Sequence, residues 1–105
     1  MPKYVVISNH PPNSCPSANR TLREMNKNMD KDLQPMLAKH KVNPQVILHL
    51  DPGHKVLWVV EAPTAEAVRD LIYDSGLGTW NDFEFYMASR LEEITAWIEH
   101  LPTVW

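Results

Sequence analysis

A β-hairpin in the middle of the chain constrains the fold more than any other feature. Two apolar runs, 46–50 and 55–60, flank a short stretch that contains Pro52-Gly53, and their Val, Ile, Leu and Trp residues are typical of half-buried strands. Proline presets φ and glycine tolerates a positive φ at the next position, so Pro52-Gly53 predicts a type II turn. The two runs are therefore expected to pair as antiparallel strands.

Side-chain alternation along this hairpin predicts two different faces. With Pro52 and Gly53 in the loop, Leu48 lies opposite Leu57, and one face is aliphatic at its centre. The other face carries Ile47, His49, Val56, Trp58 and Val60. We expect helices to cover the aliphatic face and the mixed face to stay open, although a bulge at the turn would exchange these assignments on one strand.

The sequence on either side of the hairpin predicts two more strands and three helices. Alternation of apolar residues predicts strands at 3–9 and 81–88, and apolar spacings of three and four predict a long helix at about 17–40. Pro35 predicts a kink or a break in that helix. The helix also carries a methionine stripe, which we expect to pack against the sheet.

Capping patterns predict where the helices begin and end. Thr64 is the expected cap of the helix after the hairpin, and Gly76 is expected to end it in the left-handed conformation. Thr21 with Glu24 predicts a capping box for the first helix, with Ser17 as the alternative cap, and Ser89 with Glu92 predicts one for the last helix.

The resulting order, βαββαβ plus a C-terminal helix, predicts a single α+β domain over 1–105. Right-handed crossovers close such an order into a ferredoxin-like sandwich, a four-stranded antiparallel sheet of order 4-1-3-2 with the two main helices on one face. Its open face would expose a large apolar surface. We therefore expect two copies to pack sheet to sheet as a homodimer, a dimeric α/β barrel that encloses a cavity.

Composition and charge exclude several classes of function. The formal net charge is −3 and no Lys/Arg cluster occurs, which argues against nucleic-acid binding. No apolar run is long enough to span a bilayer, and the N-terminal apolar stretch is too short for a signal sequence. The single cysteine, Cys15, is compatible with a reducing compartment, so no membrane association and a cytoplasmic location are expected.

The segments 50–56 and 61–69 resemble a family of small stand-alone ferredoxin-like proteins, most of unknown function. The shared pattern is a strand ending in Asp-Pro, a Gly-Lys turn, a hydrophobic strand and then Ala-Pro-Ser/Thr-Ala-Glu-Ala-Val, and 29–33 is similar to the family's acidic helix segment. The resemblance implies a dimeric α/β barrel. Nickel-binding members carry adjacent histidines on the first strand, where this chain has Ser8-Asn9-His10.

The alternation of side chains along the first and last strands predicts a candidate site on the open face. If the first and last strands pair with Tyr4 opposite Ala88, then Ser8 lies opposite Glu84, and a carboxylate near His10 can orient the imidazole and raise its basicity. The predicted catalytic residues are His10 and Glu84. The predicted ligand-binding residues are Val6, Ser8, His49, Trp58 and Tyr86.

Four functions remain open at this stage, and no cofactor is assigned. The preferred one is binding of a small, partly aromatic or apolar ligand on the open face. The alternatives are a cofactor-independent isomerase, cyclase or monooxygenase with His10 as general base, a structural or regulatory subunit, and a metal binder. Cys15 is interpreted as an incidental loop thiol, with a nucleophile as the alternative. No metal ligand is predicted, because the candidates lack compact ligand spacing: His10, His49, His54, Cys15 and Asp51.

Overall fold

The computed structural model describes residues 1–105 and has an α+β architecture with four strands and four α-helices. No helix has the length and apolar character needed to cross a membrane. In chain order the elements are β1 Lys3–Asn9, α1 Arg20–Lys27, α2 Met29–His40, β2 Asn43–Leu50, β3 Lys55–Glu61, α3 Ala65–Asp74, β4 Asp82–Ala88 and α4 Leu91–Ile98, with short 3-10 turns at Pro12–Ser14 and Leu77–Thr79.

The four strands form one antiparallel sheet in the order β2-β3-β1-β4. The predicted hairpin register is confirmed, since Leu48 pairs with Leu57 and Leu50 with Lys55. The turn itself is different. The Asp51–Pro52 peptide bond is cis, the Gly53 N–H donates to the Leu50 carbonyl, and Gly53 does not have a positive φ. The predicted type II turn is therefore wrong, and the bulge in this pair lies between Pro44 and Val46.

Helices α2 and α3 cover the sheet face that we expected to be open. The core joins sheet residues such as Tyr4, Val6 and Val60 to Leu37 of α2 and Leu71 of α3. We call this side the helix face. The opposite side, here called the open face, carries the aliphatic set Val5, Ile7, Val46, Leu48, Leu57 and Val59, and Leu48 is 53% exposed.

The face assignment was wrong because both faces of this sheet are apolar. Alternation separates the side chains into two sets, but it does not decide which set lies under the helices. The connections between strands make that choice through their handedness. Here the helices pack on the set that also contains the aromatic and polar side chains of β1 and β3, including Tyr4, Ser8 and Trp58.

The pairing of β1 with β4 differs by one residue from the prediction. Tyr4 lies opposite Met87 instead of Ala88, and Ser8 lies opposite Phe83 instead of Glu84. Since a slip of one residue moves every side chain to the other face, Phe83 is on the helix face. Glu84 and Tyr86 are on the open face.

The long first helix is interrupted at Asn28, seven residues before the predicted position, and Pro35 lies inside α2. The cap of α1 is Asn19, whose side chain accepts from the Leu22 N–H, so the predicted caps Ser17 and Thr21 are wrong. Of the methionine stripe, Met29 and Met36 pack against the core, whereas Met25 is exposed.

Both ends of α3 agree with the caps predicted from the sequence, whereas the start of α4 does not. The Thr64 hydroxyl accepts from the Ala67 N–H at 3.2 Å, and Gly76 has a φ of 79°. Both predictions are confirmed. The cap position of α4 is Arg90, with no side-chain hydrogen bond, so the predicted capping box that begins at Ser89 is wrong.

We predict that Thr64→Ala lowers the free energy of unfolding by about 1 kcal/mol, because it removes the acceptor for one orphan N–H of α3. The matched control is Thr21→Ala, which removes an exposed hydroxyl from within α1. Urea unfolding measures both. Equal losses of stability in the two variants would contradict the assigned cap.

Candidate functional site

Three side chains that are distant in the sequence converge at one end of the sheet. His10 follows β1, Cys15 lies in the loop before α1, and His54 is the last residue of the hairpin turn. Each offers one potential ligand atom, and the three atoms lie within 4.8 Å of one another. His10 is only 6% exposed and Cys15 only 7%, whereas His54 is half-buried.

Backbone hydrogen bonds join His10 to His54 and close the loop that carries Cys15. The His10 N–H donates to the His54 carbonyl at 3.2 Å, which extends the β1–β3 ladder beyond its last pair, Asn9 with Lys55. The loop is closed on itself, because the Cys15 N–H donates to the Pro12 carbonyl at 3.2 Å and the Asn19 N–H donates to the Cys15 carbonyl at 2.7 Å.

Arg23 ties the same loop to helix α1. Its guanidinium donates to the carbonyls of Pro16 and Ser17 at 2.9 and 2.5 Å. Two adjacent loop carbonyls are thereby satisfied by one side chain. The position of the Cys15 sulfur thus depends on the helix that follows it as well as on the prolines around it.

Asn81 determines the tautomer of His10. The Asn81 Nδ2 donates to the Leu77 carbonyl at 3.1 Å, which turns the amide oxygen toward His10 Nδ1 at 2.9 Å. An amide oxygen can only accept, so Nδ1 of the neutral imidazole carries the proton and Nε2 keeps its lone pair. That Nε2 is buried and has no hydrogen-bond partner. The Trp80 ring lies against the imidazole, with centroids 5.2 Å apart.

The Cys15 thiol is surrounded by groups that favour its ionised form. The Ser17 hydroxyl donates to the sulfur at 2.9 Å and the Ser17 N–H at 3.5 Å. The side-chain hydrogen bond from Ser17 is the largest effect. Together with the Ser17 N–H and contacts to His10 and His54, and against the opposing effect of burial, it lowers the Cys15 pKa from 9.0 to about 6. These contacts favour the thiolate form of Cys15.

One thiolate and two imidazoles can act in two ways. They can bind a transition metal ion, since both donor types are ligands of zinc, copper and similar metals. Alternatively, Cys15 and His10 form a nucleophile and base pair. A nucleophile needs substrate access, yet the groove of about 490 Å³ between α3 and β4 is lined by Asn81 and not by Cys15 or His10. The burial of both residues favours metal binding.

The predicted cluster on the open face does not form. Val6, Ser8 and His10 are buried on the helix side, and Trp58 packs against the core with its indole N–H unpartnered. His49 shares the helix face at the sheet edge, where it is exposed and bonds Asp51 at 2.6 Å.

Glu84 and Tyr86 lie on the other side of the sheet and are bonded to each other at 2.9 Å. This hydrogen bond to the Glu84 carboxylate raises the Tyr86 pKa. The prediction that Glu84 orients His10 is wrong, because the one-residue difference in the β1–β4 register puts the two side chains on opposite faces. Ligand binding by Glu84 and Tyr86 on the open face stays a prediction.

Sequence reasoning considered His10, His54 and Cys15 as metal ligands and set them aside because their spacing is not compact, and it gave Asn81 and Ser17 no part in such a cluster. One signal was present, because the pairing of β1 with β3 brings the residue after Asn9 next to the residue before Lys55. Those residues are His10 and His54. The pairing of β1 with β4 gives a comparable signal, because it brings the residue after Asn9 next to the residue before Asp82, which is Asn81.

Comparison with family models, curated proteins and solved structures gave no match.

We predict that Cys15 in metal-free protein titrates with an apparent pKa of about 6, and that Ser17→Ala raises this pKa because it removes the hydroxyl donor to the sulfur. Thiolate absorbance at 240 nm, followed against pH in the presence of a chelator, measures both values. Ser14→Ala is the control, since no side-chain hydrogen bond links Ser14 to the sulfur. An unchanged pKa in Ser17→Ala would contradict the assigned cause.

Proposed function

We propose that this protein binds a transition metal ion through His10, Cys15 and His54. The observation that carries the proposal is the buried Nε2 of His10. It has a free lone pair, no hydrogen-bond partner, and a thiol and a second imidazole in the same cluster. A buried polar nitrogen without a partner is costly. Coordination to a metal ion would remove that cost.

The donor set supports a metal of the zinc or copper class. Imidazole suits Zn²⁺, copper and nickel, and a thiolate adds preference for the softer ions, whereas Mg²⁺ and Ca²⁺ require oxygen ligands. Three protein ligands leave a fourth position for water or a small molecule, as in catalytic zinc sites. The Asn81 contact to His10 is the kind of outer contact that fixes the orientation of a ligating histidine.

We predict that the purified chain binds one equivalent of Co²⁺, used as a spectroscopic probe for Zn²⁺, with a thiolate-to-metal charge-transfer band. Cys15→Ser should abolish that band, because serine offers no thiolate. His10→Ala and His54→Ala should each weaken binding by at least about tenfold, and Asn81→Ala by about 10- to 100-fold, the range for loss of an outer-shell contact.

The matched control is His49→Ala, which removes an exposed histidine that pairs only with Asp51. Its affinity for Co²⁺ should equal that of the unmodified chain.

Zn²⁺ at about 1,000 times its dissociation constant should raise the free energy of unfolding by about 4 kcal/mol, which thermal unfolding detects. Absence of the charge-transfer band, or equal binding by the His10→Ala and His49→Ala variants, would reject the site.

The proposal extends to the architecture, a ferredoxin-like sandwich that forms a homodimer through its open face. The strand order and the position of α2 and α3 on one side support the sandwich. The aliphatic open face supports the dimer, because it includes Leu48 of the edge strand β2, which is more than half exposed in the single chain. A contiguous apolar surface of this kind is typical of an interaction site.

We predict that the chain is a dimer by light scattering at micromolar concentration and that Leu48→Glu makes it a monomer, because the dimer would bury an unpaired charge. Gln34→Glu is the control. It adds the same charge at an exposed position of α2 and should leave the dimer intact. A monomeric unmodified chain would overturn the proposed dimer without affecting the metal proposal.

A further inference from the structure

Helix α4 presents an apolar stripe that the chain itself leaves uncovered. No residue of α4 is buried, and Trp97, in the middle of the stripe, is 60% exposed. The stripe continues into the C-terminal segment. Its members are Leu91, Ile94, Trp97, Ile98, Leu101, Val104 and Trp105.

The shape of the chain shows how much surface is left uncovered. Its accessible surface is 7614 Å², whereas a compact monomer of 12.1 kDa should have about 6,000 Å². The radius of gyration is 16.4 Å, against about 13 Å for a compact domain of this length. The excess of about 1,600 Å² per chain lies within the range that obligate homodimers bury per partner, roughly 1,000 to 2,500 Å².

We propose that α4 of each chain packs against the open face of a second copy, so that the two copies exchange their C-terminal helices. This inference rests on the proposed homodimer and names the element that covers its interface. It accounts for the uncovered stripe, the uncovered sheet face and the excess surface with one arrangement. The stripe of α4 and the aliphatic side chains of the partner's sheet then form a shared core.

The test is a mixed dimer examined by NMR. One copy is methyl-labelled. The other copy is unlabelled and carries a spin label at Ala96→Cys in a Cys15→Ser background, since Ala96 lies on the face of α4 opposite the stripe, where the label leaves the contact undisturbed. Any paramagnetic broadening then arises between copies. We expect stronger broadening of the Leu48 and Leu57 methyl groups than of the Leu71 methyl groups on the opposite side of the sheet.

A second measurement uses full-length variants and the dimer dissociation constant. Trp97→Ala should raise it by at least about tenfold, the effect of losing a buried aromatic anchor. Glu92→Gln, on the face of α4 opposite the stripe, should change it by less than about twofold.

The outcomes separate the two proposals. A dimer without broadening between copies, or with the strongest broadening at Leu71, overturns the exchanged helix and leaves the dimer standing. Unchanged dimerisation of Trp97→Ala also overturns the exchanged helix. A chain that is monomeric under all conditions overturns both the helix exchange and the dimer.

Discussion

The direction of the side chains along β1 is the constraint on which the rest of the structure depends. β1 pairs with a strand on each side, and its even-numbered side chains, from Tyr4 to Ser8, point toward the helices. The same alternation continues to His10, which is buried at the end of the strand. The alternation along this strand therefore places side chains in the centre of the core. It also points the imidazole of His10 inward, toward the loop that carries Cys15.

The inward direction of His10 explains why the site contains a buried nitrogen that has no hydrogen-bond partner. A histidine that is buried under the helices loses its hydrogen bonds to water, and Asn81 provides a replacement at Nδ1 only. The thiol beside it is held by Ser17, whose hydroxyl and N–H both point at the sulfur. Asn81 thus fixes His10 through Nδ1 and leaves Nε2 directed into the cluster, and Ser17 fixes the position of the Cys15 sulfur. This is the arrangement that ligating side chains require.

Local patterns in the sequence predicted the secondary structure well and the tertiary relations less well. The hairpin register, the cap at Thr64 and the left-handed Gly76 depend on nearby residues, and all were predictable. The β1–β4 register and the covered face depend on packing between distant segments. When both faces of a sheet are apolar, the alternation of side chains fits either of two registers that differ by one residue. Glu84 was therefore predicted to lie on the same face as His10, whereas it lies on the opposite one. The cluster of His10, Cys15 and His54 was missed for the same reason, because 38 residues lie between Cys15 and His54 in the chain.

The three candidate ligands differ in how firmly the fold holds them. His10 and His54 are joined by a backbone hydrogen bond at the end of two paired strands, whereas Cys15 belongs to a loop that is closed by its own turns and by Arg23. In the proposed metal complex the loop and its Arg23 contacts would carry the adjustable ligand, and the paired strands would hold the two histidines in place.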